Sequence, residues 1–149
     1  MKLRALTTIE CTKVLTNSHL CHLACAHGGR PYVVPIYCCY SGNWLYAFSM
    51  PGKKIECMRA NPQVCVLVEE RGEGRQWRSV LVDGRYEELG DSPEEKQLRE
   101  HAWRLLSAHV NWWEPGGLKL VEQPMADHSS HLFFRIFVEQ MSGREALED

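Results

Sequence analysis

The sequence predicts a mainly β protein: six antiparallel strands closed, or nearly closed, into a small barrel with helices at its periphery. Three observations carry this. Runs rich in β-branched and aromatic residues recur along the chain. Gly28-Gly29 and Ser41-Gly42-Asn43 join the first three of them at hairpin spacing, which implies antiparallel pairing. The 149 residues fit one domain large enough to hold a core.

Residues 7–17 read as a first helix, with Ile9, Val14 and Leu15 as its apolar points. SHLCHLACAH (18–27) and PYVVPIYCCY (31–40) follow as strands around the glycine pair. Pro35 removes one ladder donor, so that strand edge is expected to be free or to face a ligand. Trp44 to Ser49 is the third strand. A short helix over 51–61, PGKKIECMRAN, stops at Asn61-Pro62. QVCVLVEE (63–70) is a continuously apolar strand, expected to be buried on both faces. After the polar loop 71–74 comes a long strand, QWRSVLVDGRYEEL. Ser92-Pro93-Glu94-Glu95 fits a capping box with proline at the first helical position. Leu98, Ala102, Leu105, Leu106 and His109 then form a helical stripe ending near Val110. The segment 111–130 is loop, and HLFFRIFV (131–138) is the last strand. Residues 1–149 are expected to form a single domain with a fraying tail over about 141–149.

Apolar residues make up 44% and charged residues 24%, which argues against wholesale disorder. The net charge of −2 supplies no basic field for nucleic acid. No apolar run reaches the ~20 residues a membrane helix needs. The opening MKLRALTTIECTK lacks the apolar core of a signal peptide, so a cytoplasmic protein is expected. The seven cysteines, Cys11, Cys21, Cys25, Cys38, Cys39, Cys57 and Cys65, are read as free buried thiols in a reducing compartment. His19, Cys21, His22, Cys25 and His27 crowd together, yet a strand would hold Cys21 and Cys25 roughly 13 Å apart. Zinc ligands lie about 2.0–2.3 Å from their metal, so no metal site is expected. No G-x-S-x-G nucleophile elbow occurs, and no catalytic residue is assigned.

The chemistry concentrates in Ser49-Met50-Pro51-Gly52-Lys53-Lys54, where a strand ends, the chain turns and a helix begins. A helix N-terminus presents unpaired N–H groups and partial positive charge. Two lysines in that first turn cost roughly 0.3–1 kcal/mol each at an exposed site. A docked anion would reverse the sign, with Ser49 as a further donor and phosphate the natural candidate. A solvated lysine pair on a surface helix is the other reading, and spacing alone leaves both open.

GRPYVVPIYCCYSGNWLYAFSMPGKKIECMRANPQVCVLVEE, followed by WRSVLVDGRYEEL, resembles the flavin-binding split-barrel proteins, the relatives of pyridoxamine 5′-phosphate oxidase. Within them it is most similar to the subgroup that includes nitroimidazole-resistance proteins. The ordered set G-R-P-x-x-x-P, W-L-Y, G-K-K, N-P and V-D-G-R carries the resemblance, which runs from about residue 18 to 138. It implies a six-stranded split barrel and a homodimer with FMN between subunits. It implies that Val33, Val34, Pro35, Ile36 and Tyr37 line the isoalloxazine, and that Phe48 and Ser49 lie beside the ribityl chain and phosphate. Lys53 and Lys54 would be the basic phosphate ligands, and Arg78 and Ser79 would also reach the flavin. Trp112 or Trp113 would cover the flavin or the partner subunit, plain packing against the barrel being the alternative.

Three departures bear on activity. Ser79 stands where the oxidases have a longer amide. Phe48 stands where several nitro-drug-reducing members have a histidine, so that activity is not carried over. The C-terminal vitamer-binding pattern is absent, so pyridoxamine phosphate oxidation is not expected. The expectation is an oxidoreductase that passes electrons or hydride from a reduced cofactor through FMN to a small planar acceptor. A flavin carrier or sensor without turnover, or a haem- or deazaflavin-binding relative, are the alternatives.

Overall fold

The computed structural model of the chain describes residues 1–108 and 132–149. Its elements are β1 (Lys2–Ala5), α1 (Thr8–Asn17), β2 (Leu20–His27), β3 (Arg30–Ser41), β4 (Trp44–Ser49), α2 (Lys53–Ala60), β5 (Gln63–Arg71), β6 (Trp77–Leu89), α3 (Pro93–Ser107) and β7 (Leu132–Leu147). The sheet runs β1-β7-β4-β3-β2-β5-β6, and β6 also pairs with β7. That second pairing closes β7, β4, β3, β2, β5 and β6 into a six-stranded barrel, and β1 is an added seventh strand. All pairings are antiparallel. No described helix is long and apolar enough to cross a membrane.

The turns follow their residues. Gly28 and Gly29 have φ of 60° and 74°, and Gly42 and Asn43 have φ of 58° and 70°. Both two-residue loops therefore have the positive φ values of a type I′ hairpin, whose twist matches the flanking strands. α1 starts with a full capping box between Thr7 and Glu10, and the Ser92 side chain caps α3. One core fills the barrel with Leu23, Val66, Val80, Val82 and Ile136, and α1 and α2 close over it through Leu15, Ile55 and Met58. A second core sits under α3, where Ala102 and Leu106 meet Tyr46, Phe48 and Phe133.

Four expectations need correction. The polar tail does not fray: β7 continues to Leu147, twice the length expected, and Ala146 is fully buried. Its far half pairs with β6 on one side and β1 on the other, so its main-chain groups are satisfied despite polar side chains. β5 is buried on one face only; Val64, Val66 and Val68 point inward while Cys65 and Leu67 are half-exposed on the outside. The cysteines are not all free, because Cys21 and Cys38 form a disulfide. Cys21 sits opposite Ile36, so Cys38 is its diagonal neighbour across β2–β3, with Cα atoms 6.5 Å apart. Finally β1, a short polar strand, escaped the sequence reading. The expectations for Val110 and the loop 111–130, with Trp112 and Trp113, lie outside the described residues.

An ion-pair clasp ties the chain's ends to the barrel. Arg4 on β1 donates to both carboxylate oxygens of Glu10 and to Glu145 on β7. Arg78 on β6 donates to the other oxygen of Glu145 at 2.9 Å. The Arg4 hydrogen bonds hold Glu10 down to about 2 and pull Glu145 below the ordinary carboxylate range.

Two outcomes are expected. Gly84 sits opposite the β7 bulge, where a Cβ would lie 2.5 Å from Phe137 O and from Ile136 Cγ2. Gly84→Ala should lower the unfolding free energy by about 1–3 kcal/mol in urea titration. Both clasp carboxylates have depressed folded-state pKa values, so the stability they lend is complete above about 4.5 and is lost as the pH falls toward about 2. Arg4→Met should flatten the fall of the unfolding midpoint across that acid window.

Candidate functional site

β3 contributes an unusual edge. The Cys38 N–H donates to the His19 carbonyl. Antiparallel alternation then turns the main-chain groups of residues 31, 33, 35 and 37 away from β2. β4 pairs with β3 only from Cys38 onward, so among the described residues the edge over 31–36 has no strand partner. Pro31 and Pro35 fall at the positions that would otherwise offer N–H groups along it. What remains along it is the N–H of Val33 between the carbonyls of Pro31 and Pro35. The expectation of a free edge at Pro35 is therefore met, with a single spaced donor among acceptors.

Alternation also sorts the side chains expected at a flavin ring. Val33, Pro35 and Tyr37 lie on the outer face. Val34 turns toward the barrel core and Ile36, 2% exposed, is part of it. Ile36 offers such a ligand neither its side chain nor its main chain, which pairs with Cys21 on β2, and this corrects the expectation that all five would line the ring. Phe48 is likewise 4% exposed and packs against Phe133 under α3. Its side chain does not face an open groove. Ser49 is buried, and its hydroxyl donates to the Met50 carbonyl at 2.8 Å.

α2 begins at Lys53, so Lys53 and Lys54 occupy its first two positions. Unlike α1 and α3, α2 has no side-chain cap: Gly52 is the N-cap and offers none. A Cβ on Gly52 would meet nothing closer than the Met50 carbonyl at 4.0 Å, so the approach is open. The Lys53 ammonium lies 4.9 Å from the centre of the Tyr32 ring, a cation–π contact that holds it at the helix start. A cleft of about 380 Å³ opens there, lined by His27, Arg30, Tyr32, Lys53, Glu56 and Cys57. His27, Arg30 and Tyr32 were missed by the sequence reading. The G-R-P segment held the signal, since the two-residue turn and the strand phase bring Arg30 and Tyr32 to the end of β3 that meets α2.

Arg78 and Ser79 sit elsewhere. Ser79 lies on the outer face of β6 in a second cleft of about 500 Å³, with Arg71, Arg75 and Trp77. Arg78 lies on the opposite side of the strand and is engaged by Glu145. Cys21 and Val80 both pair with Val68, so Ser79 is level with the start of β2, while the lysine cleft lies at His27, its end. Seven residues of strand separate the two, about 23 Å. One chain does not bring Lys53 and Lys54 together with Arg78 and Ser79. Between them the outer face is apolar, with Leu20 60%, Val33 64% and Leu81 44% exposed.

A closed antiparallel barrel of six strands, with one proline-punctuated free edge beside a basic helix start, defines a split-barrel protein. The profile of the pyridoxamine 5′-phosphate oxidase family matches residues 7–145, and the chain belongs to that family. Uncharacterized protein RA0666 of Rhizobium meliloti (strain 1021) is 47% identical over 146 residues, covering 98% of this chain and 97% of that one. The crystal structure of an FAD-binding protein from Mesorhizobium loti (mll6688) is 56% identical with a TM-score of 0.84, covering 99% of this chain and all of that one. A candidate 5-nitroimidazole antibiotic resistance protein from Bacteroides thetaiotaomicron VPI-5482 has a TM-score of 0.74 at 20% identity, over 97% and 89% of the two chains, and shares the fold.

Proposed function

We propose that this protein is a flavin-dependent oxidoreductase, acting as a homodimer on a small planar substrate. The observation that carries the reading is the start of α2: its N-cap, Gly52, has no side chain to cap it, and its first two residues are lysines. Cations at that end oppose the helix dipole, and an anion docked there would relieve the opposition. The β3 edge beside it is built to meet a flat heterocycle, with the Val33 N–H for a ring acceptor and carbonyls of the flanking residues for a ring donor. Lys53, Lys54 and the first N–H groups of α2 would hold the flavin phosphate. Val33, Pro35 and Tyr37 would pack the ring. A bound flavin supplies hydride and electron chemistry, and the protein supplies binding, orientation and exclusion of water.

The same geometry supports the homodimer reading. Arg78 and Ser79 lie about 23 Å along the strands from the lysines, so in this reading they serve the flavin of the other subunit. The exposed Leu20, Val33 and Leu81 form the kind of apolar patch that a partner covers. FMN is the flavin this reading favours, since the docked group is a terminal phosphate. FAD is the second reading, favoured by the FAD-binding relative at 56% identity.

The purified protein should be yellow, and chromatography of the released flavin separates FMN from FAD. Lys53→Ala/Lys54→Ala should raise the flavin Kd by tenfold or more, as expected for losing a charge-assisted hydrogen bond worth about 1.5–3 kcal/mol. Gly52→Asp would fill the orphan donors with its own carboxylate. It should leave the melting temperature unchanged or slightly higher while weakening flavin by tenfold or more. Unchanged flavin affinity in both variants overturns the phosphate assignment. Anaerobic NADH or NADPH should bleach the bound flavin; a flavin that stays oxidised with either donor points to a carrier or sensor instead.

A further inference from the structure

The cleft beside Ser79 has a chemistry of its own. It lies on the outer face of the β5–β6 hairpin, about 23 Å along the strands from the lysine cleft, and measures about 500 Å³, a size typical of small-ligand sites. Arg71 and Trp77 stand directly opposite each other across the ladder, and Glu69 and Ser79 form the next pair on the same face. Arg75 hangs over the cleft from the turn, its side chain 80% exposed and 3.9 Å from its nearest carboxylate, Glu148. Arg71 forms no ion pair among the described residues. Two guanidinium groups, an exposed indole and one carboxylate thus converge on one hollow.

We propose that this hollow takes the adenylate of a dinucleotide. The Trp77 indole offers a stacking surface for a purine. Arg71 and Arg75 offer planar, charged forks for phosphate oxygens. Glu69 would oppose a bare anion, but a carboxylate is the expected partner of a ribose diol. A sugar between base and phosphate therefore explains why an acidic side chain sits among arginines. Two molecules carry this group: FAD, whose other half would lie in the lysine cleft of the partner subunit, and a nicotinamide dinucleotide acting as electron donor. The choice between them rests on the flavin reading; the adenylate site itself does not.

The test is calorimetric titration of AMP and ADP-ribose into the full chain, as purified and after flavin removal. ADP-ribose should bind the flavin-free protein. Arg71→Ala/Arg75→Ala should weaken it by tenfold or more, Trp77→Ala should do likewise, and Trp77→Phe should restore most of the affinity. Lys53→Ala/Lys54→Ala should leave it unchanged, so failure of the flavin reading shows separately. A FAD source predicts that flavin-free protein prefers FAD to FMN, that the arginine variant loses this preference, and that bound FAD blocks ADP-ribose. A donor source predicts equal affinity for FAD and FMN, with NADH binding the FMN-loaded protein and weakened by the same arginine variant. The proposal is overturned if wild type and the arginine variant bind ADP-ribose equally, or if wild type does not bind it at all.

Discussion

Closure of the barrel depends on β7. Its residues 133–137 lie between β4 and β6, and its residues 144–146 between β1 and β6. Without those hydrogen bonds β4 and β6 would be the two edges of an open five-stranded sheet, β4-β3-β2-β5-β6. Their unpaired groups would face solvent as templates for wrong pairing. Closing the ring removes those edges and turns Val66, Val80, Phe134 and Ile136 toward one interior. The strand must bend to do so, and its unpaired Glu139, opposite Asp83/Gly84 of β6, marks the bulge where the register shifts. Gly84 is the residue without a side chain at the place where Phe137 comes closest.

One stretch of edge stays open inside this closed ring. β4 is only six residues long and meets β3 from Cys38 onward, so the first part of β3 is left unpaired on that side. Prolines at 31 and 35 make the gap permanent, because they lack the donors another strand would use. The same two residues that deter aggregation leave a row of carbonyls and one N–H beside the start of α2. Fold and candidate site are thus consequences of a single mismatch in strand length.

The separation of the two clefts has a similar origin. α2 connects the end of β4 to the start of β5 and packs at the His27 end of β2, whereas the β5–β6 hairpin turns at the Leu20 end. Antiparallel strands carry consecutive connections to opposite ends, so a helix and the next hairpin along the chain cannot share a rim. In the proposed reading, a ligand that uses both spans two subunits. The apolar outer face of β2, β3 and β6 is the surface across which they would meet.

The sequence by itself determined the elements and their turns. The glycine pair, the Gly42-Asn43 turn, the caps at Thr7 and Ser92 and the stop at Asn61-Pro62 are local chemistry, and they appear within a few residues of where the chain's own pattern puts them. The lysine pair at the start of α2 was legible for the same reason, since a helix start is set by its nearest neighbours. What lay beyond local reach was decided by pairing. The polar β1 and the far half of β7 are strands because each satisfies the other's main chain, though neither has an apolar pattern. Phe48 and Ile36 became core residues because strand phase, and not composition, sets which way a side chain points. Cys21 and Cys38 met because the register of β2 on β3 made them diagonal neighbours, and no spacing along the chain specifies a register.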